Sequence, residues 1–178
     1  MRLLRRVRSA WAEERGYTLI ELLMVTVILG TVVAALTILF VRASNAEMDM
    51  NRRFQAQQTA RVAVDRMRRE IHCASQITPA GPASSIAVTL PAQCPTAGGV
   101  QTTVTYDLVG SGQRFQLQRN SVQLADFVSE QNAFNYTAPV PTSSLGKLRV
   151  TLPINTTPTD RGKEWRLVAD VVLRNTTR

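Results

Sequence analysis

Gly16-Tyr17-Thr18-Leu19-Ile20-Glu21-Leu22-Leu23 opens a long apolar run, and residues 22–41 read LLMVTVILGTVVAALTILFV. No charged residue interrupts that run until Arg42. A helix needs about 20 predominantly apolar residues to cross a hydrocarbon core, so the segment is long enough to span a membrane. Thr26, Thr31 and Thr37 do not forbid insertion, because their hydroxyls can bond carbonyls of the preceding turn. A cleaved secretory signal has a shorter apolar core followed by a small-x-small site. No clear Ala-x-Ala follows here, so the span is expected to be retained. Glu21 is the anomaly: an ionisable residue at the start of such a run is costly and usually has a partner or a role.

The region before the run is basic. Residues 1–16 hold Arg2, Arg5, Arg6, Arg8 and Arg15 against Glu13 and Glu14, within a chain of 178 residues and formal charge +8. Arginines next to a span mark the side that stays cytoplasmic. A nucleic-acid patch is the competing reading of the same charges. The chain length suits one modest extracytoplasmic domain plus an anchor.

Taken together, the basic leader ending in Gly16, the Thr-Leu-Ile-Glu sequence and the long apolar helix resemble the processing and assembly signature of type IV prepilins and type II secretion pseudopilins. That resemblance implies cleavage after Gly16 by a membrane-embedded prepilin peptidase, methylation of the new amino group on Tyr17, and a need for Glu21 in assembly. Gly30 matches a glycine common inside these helices. Two departures stand out. Tyr17 replaces the usual Phe, and the run lacks the proline often found in major pilins, which would remove a backbone hydrogen bond. The missing proline favours a minor pilin or a pseudopilin. After cleavage Tyr17 would carry an α-amino group with a pKa near 8. In a bundle of apolar helices, the Tyr17 amine of a neighbouring subunit could then offset the Glu21 carboxylate.

The helix is expected to continue past the span. Residues 43–75 contain neither Pro nor Gly, and Ala60, Val64, Met67, Ile71 and Ala74 recur at spacings of four and three, which is one helix face. Arg61, Asp65, Arg66, Arg69 and Glu70 are assigned to the other face, with Arg61–Asp65, Asp65–Arg69 and Arg66–Glu70 as i,i+4 pairs worth a few tenths of a kcal/mol each. Beyond Pro79, Gly81 and Pro82 the pattern changes to short strands at 85–90, 100–109, 114–119, 122–128, 147–152 and 165–175. Gly110-Ser111-Gly112 reads as a hairpin turn, and 91–99 and 155–162 as surface loops. Residues 165, 167, 169, 171 and 173 alternate as the inward face of a half-buried strand.

The expected fold is therefore α+β and pilin-like, a long N-terminal helix laid on an antiparallel sheet. The expected organisation is a leader over 1–16, a membrane and assembly helix over 17–42, its amphipathic continuation over 43–75, and an extracytoplasmic β-rich domain over 76–178. The strand spacing loosely resembles the larger minor pilins and J-type pseudopilins. Cys73 and Cys94 can form a disulfide if this part lies outside the cytoplasm, and two unpaired thiols remain the alternative.

No CxxC or His-rich spacing points to a metal, and no cofactor is implied. His72, the only histidine, has no second ligand or catalytic partner nearby in sequence. Motifs for nucleophilic, metal-dependent or phosphate chemistry are lacking, so the chain is not read as an enzyme. Three Asn-x-Thr sequons, at Asn135, Asn155 and Asn175, are taken as incidental.

The leading function is a structural subunit of a type IV pilus or secretion pseudopilus, held in the inner membrane with its N terminus cytoplasmic and later drawn into a filament. Its partners would be the prepilin peptidase, other pilins or pseudopilins, an inner-membrane assembly platform and membrane lipid. The alternative is a minor pilin that binds nucleic acid in DNA uptake or serves adhesion; basic residues clustered on one face would favour it.

Overall fold

The computed structural model describes residues 16–140 and 143–174. The leader arginines 2, 5, 6, 8 and 15, and the sequon at Asn175, lie outside the described residues. The chain divides into two compact units, Met1–Met48 and Asp49–Arg178. One uninterrupted helix, α1 (Leu19–Cys73), passes from the first into the second.

In the first unit every described residue is exposed. The helix there is long and apolar enough to cross a membrane, and none of its apolar window is buried within the chain. The three threonines behave as their chemistry requires. Thr26 and Thr31 donate to the carbonyls of Leu23 and Ile28 at 2.9 and 2.8 Å, and Thr37 donates to that of Val33 at 2.8 Å. No hydroxyl is left to water inside the apolar segment.

In the second unit, residues 49–73 of α1 press a row of small and apolar side chains onto a sheet. Ala56, Ala60, Ala63, Val64, Met67 and Ile71 are all at most 4% exposed. Met67 and Ile71 belong to the same buried cluster as Ile86, Leu117, Leu148 and Leu152 of the sheet.

The sheet is antiparallel and nine-stranded. Its strands are β1 (Gln76–Thr78), β2 (Gly81–Ala83), β3 (Ser85–Leu90), β4 (Thr102–Ser111), β5 (Arg114–Arg119), β6 (Val122–Val128), β7 (Phe134–Thr137), β8 (Lys147–Ile154) and β9 (Trp165–Val172). The order runs β1-β3-β4-β5-β6-β8-β7-β2. Strand β8 holds the sheet together: it pairs with β7 over 147–150, with β6 at Ile154 and with β9 along its whole length. Strand β9 is pinned to the helix at both ends. The Arg61 guanidinium lies 5.3 Å from the Trp165 ring centroid, and His72 Nδ1 is 2.9 Å from the Val172 carbonyl oxygen. That oxygen only accepts, so Nδ1 carries the proton and donates.

The turns follow their residue chemistry. Gly112 takes φ 65° in the two-residue connection between β4 and β5. Asn120 and Ser121, both at positive φ, close β5 onto β6. That double left-handed pair suits the right-handed twist of a tight hairpin.

Three strands differ from the sequence reading. Strands β1, β2 and β7 are three or four residues long, and β2 lies in the stretch read as a loop around Pro79–Pro82. Such short segments carry no alternation to detect, and they exist because a neighbouring strand supplies the pairing. The β4–β5 turn also falls later than expected, at Gly112-Gln113, with Gly110 and Ser111 inside β4.

Candidate functional site at the start of the helix

The segment that carries the sequence signature sits where chain enters helix. Gly16, Tyr17 and Thr18 are non-helical, and α1 begins at Leu19. Tyr17 is 80% exposed, and nothing lies within 4 Å of where a Cβ on Gly16 would be. The bond between Gly16 and Tyr17 therefore lies outside the helix, next to an exposed side chain.

Thr18 starts the helix. Its Oγ1 accepts from the backbone N–H of Glu21 at 3.3 Å, and its carbonyl accepts from Glu21 and Leu22 at 3.0 and 3.2 Å. Thr18-x-x-Glu21 is thus an N-cap with an acid at the third helical position, the sequence form of a capping box. Glu21 also places negative charge in the first turn, where the helix dipole favours it. This local role went unread in the sequence, although a Thr three residues ahead of a Glu at the head of an apolar run is its signal. It accounts for a carboxylate at this position in an isolated chain. It supplies no counter-charge, and Glu21 has no ion-pair partner among the described residues.

Cys73 and Cys94 form a disulfide with a Cα–Cα distance of 5.8 Å, joining the last residue of α1 to the loop after β3. No group of three or more His, Cys, Asp or Glu among the described residues could hold a metal ion.

Glu70 corrects the sequence reading, which put it on the solvent face with Arg61 and Asp65. It is 1% exposed. Its Oε2 accepts from the Tyr106 hydroxyl at 2.7 Å and from Arg119 Nε at 3.1 Å, and its Oε1 lies 3.1 Å from Arg119 Nη2. Arg66, one helical turn away, reaches it at 3.7 Å, the one expected i,i+4 pair that forms. The spacing explains the placement: Glu70 follows Met67 by three residues and precedes Ala74 by four, so it belongs to the buried row. One guanidinium hydrogen bond, a second ion-pair contact from the same guanidinium and a phenol hydrogen bond make that burial tolerable, although Oε1 itself accepts no hydrogen bond. The Tyr106 hydroxyl is correspondingly hard to ionise, first because it is buried and then because Glu70 accepts its proton. Around Arg119, burial opposes the charge, but Glu70 outweighs it and raises the pKa.

The basic residues of the sheet are largely matched by acids. Arg114 pairs with Asp126 at 2.8 Å, Lys147 and Arg149 with Asp170 at 2.8 Å, Lys163 with Asp160 and Asp49, and Arg166 with Glu164 and Glu130. The Arg149 and Lys147 hydrogen bonds hold the Asp170 carboxyl well below its usual range. Asp126 is also held low: its burial works against ionisation, and the Arg114 guanidinium and the Phe127 N–H prevail.

The first unit is thus an exposed apolar helix with a non-helical Gly16–Thr18 segment just ahead of it. Residues 11–37 match the family described as the prokaryotic N-terminal methylation motif, a match that spans Gly16, Tyr17 and Glu21. That match covers the N-terminal signature of type IV pilins and pseudopilins and supports a protein of that family. No curated protein and no solved structure gives a significant match. The motif implies processing by a prepilin peptidase and other pilins as partners, and it points to a structural subunit.

Proposed function

We propose that the chain is a minor pilin or pseudopilin, cut between Gly16 and Tyr17, methylated on the Tyr17 amine and built into a filament through α1. Before assembly, residues 22–41 hold it in the inner membrane, with the leader cytoplasmic and the β unit outside, next to the assembly platform. The observation that carries this reading is the Gly16–Tyr17 bond directly ahead of an apolar helical segment whose described residues are all exposed, with no ion-pair partner for Glu21 among the described residues. In water such a helix face is unstable alone. Lipid covers it first and neighbouring helices later.

Glu21 then acts between subunits. In the packed core of a filament an unpaired carboxylate is expensive, and the Tyr17 amine of a neighbour offsets it and fixes the helix register. Residues 73 and 94 lie in the unit assigned outside the cytoplasm, where a disulfide persists. The matched charges on the sheet lend no support to a nucleic-acid-binding role.

Mass spectrometry of the assembled protein should find an N terminus at Tyr17, and Gly16→Val should abolish that cleavage. Glu21→Ala should leave cleavage and membrane insertion intact while the subunit vanishes from sheared filaments. A Met1 N terminus in filaments would overturn the processing step, and normal incorporation of Glu21→Ala would overturn the pairing.

A further inference from the structure

The last turn of α1 is tied to the sheet by groups other than its cysteine. Glu70 accepts from Tyr106 of β4 and Arg119 of β5. Ile71 is wholly buried. His72 Nδ1 meets the Val172 carbonyl oxygen of β9 at 2.9 Å. Just past the helix, the Ser75 N–H donates to the Thr89 carbonyl of β3 at 2.9 Å. Helix ends usually fray, because their last carbonyls have no partner within the helix. Here the turn that carries Cys73 is held by polar contacts and burial that do not involve its sulfur.

Cys94 is held as firmly, in the loop after β3. Its N–H donates to the Pro91 carbonyl, and its carbonyl accepts from the Ala97 N–H, both at 2.9 Å. The two Cα atoms stand 5.8 Å apart, within the ordinary span of a disulfide. The cysteines differ in access: Cys94 is 2% exposed, whereas Cys73 is only partly buried. Arg69, four residues before Cys73 and on the same side of the helix, is exposed and makes no ion pair among the described residues. A nearby guanidinium favours the thiolate, which is the reactive form. Access and charge therefore both select Cys73.

We infer that Cys73 is the entry thiol for thiol–disulfide exchange and Cys94 the resolving thiol, and that their bond closes on a unit already folded. The Cys73 thiolate attacks one sulfur of a low-molecular-weight disulfide and releases one thiolate, leaving a mixed disulfide on Cys73. Cys94 then loses its proton and attacks the Cys73 sulfur, displacing the second thiolate. Two cysteine thiols become one disulfide and the external disulfide becomes two thiols, so electrons and protons balance. Reduction runs the same steps backwards, with an external thiolate attacking Cys73. None of the contacts involved lies in the first unit, so this order of events is independent of the filament reading.

Oxidised glutathione added to the reduced full chain in detergent tests the assignment. Reduced wild-type protein should keep a cooperative urea transition, at a lower midpoint than the oxidised protein. Cys94→Ala leaves Cys73 as the sole thiol, and Cys73→Ala leaves Cys94. Without urea, intact mass should show one glutathione added to Cys94→Ala at least about tenfold faster than to Cys73→Ala, since a buried thiol reacts only through local opening. In urea above each midpoint the two variants should react at similar rates, because the fold no longer separates them. In the wild type, acid-quenched time points should contain a transient adduct that peptide mass places on Cys73, followed by the internal bond; this arm needs no substitution. Equal rates without urea, faster reaction of Cys73→Ala, a wild-type adduct on Cys94, or reduced protein without a cooperative transition would each overturn the inference.

Discussion

Glu70→Ala should cost the β unit about 3 kcal/mol. The substitution leaves the Arg119 guanidinium and the Tyr106 hydroxyl facing an empty, buried space. Removing one partner of a buried ion pair typically costs about 3–5 kcal/mol, because the remaining charge is uncompensated. Arg119 keeps 16% of its side-chain surface in water, and so some hydration, which puts the value at the low end. The Tyr106 hydroxyl, wholly buried, adds a penalty that overlaps with the first rather than adding in full. Trp165 reports unfolding well, since it packs on the core and Trp11 would leave with the leader in the proposed cleavage after Gly16. For the processed chain in detergent, with a urea m-value of about 2 kcal/mol/M, the midpoint should fall by about 1.5 M. Replacing the whole group with apolar residues of similar size, as Glu70→Leu, Tyr106→Phe and Arg119→Met together, should recover most of the loss, since buried pairs often gain little over a hydrophobic core. A Glu70→Ala loss under about 1 kcal/mol, or a triple variant as unstable as the single one, would refute the argument that an orphaned partner drives the effect.

The alkaline limb of the stability curve should be set by Tyr106 and Tyr136, whose hydroxyls burial makes harder to ionise in the fold. The unfolded phenol ionises near pH 10. Their contribution is therefore whole below about pH 10 and declines as pH rises above it. Tyr106→Phe should flatten that limb in urea titrations between about pH 9 and 11.5, and an unchanged slope would count against it. Gly110→Ala should destabilise by about 1–3 kcal/mol, because its Cβ would collide with the Arg114 carbonyl oxygen and lie 2.8 Å from Phe115 Cα, at φ 156°. Thermal melts read that loss; a wild-type Tm would disprove the clash. Cys73→Ser with Cys94→Ser should cost about 3 kcal/mol by reopening a loop of 21 residues. Equal urea midpoints for the reduced and oxidised wild-type protein would contradict it.

The membrane-length helix, its basic approach, the Gly16–Glu21 signature and the apolar face of the helix continuation could all be read from the sequence. Each is local: a run of composition, a short motif, or a period of 3.6 along one element. The same holds for β3, β5 and β6, whose bounds emerge from alternation and turn residues alone. Where the sequence misled, the deciding interaction was distant in the chain. Glu70 looks like a solvent residue until Arg119, 49 positions later, and Tyr106 are brought to it by β5 and β4. Strands β1, β2 and β7 have no pattern of their own and exist through pairing with β3, β7 and β8. The slip in the β5–β6 pairing, with Phe127 at φ 63°, is announced by no local sequence rule. Local order is encoded by nearest neighbours, but burial of a charge and the existence of a short strand depend on which distant segments the tertiary structure brings together.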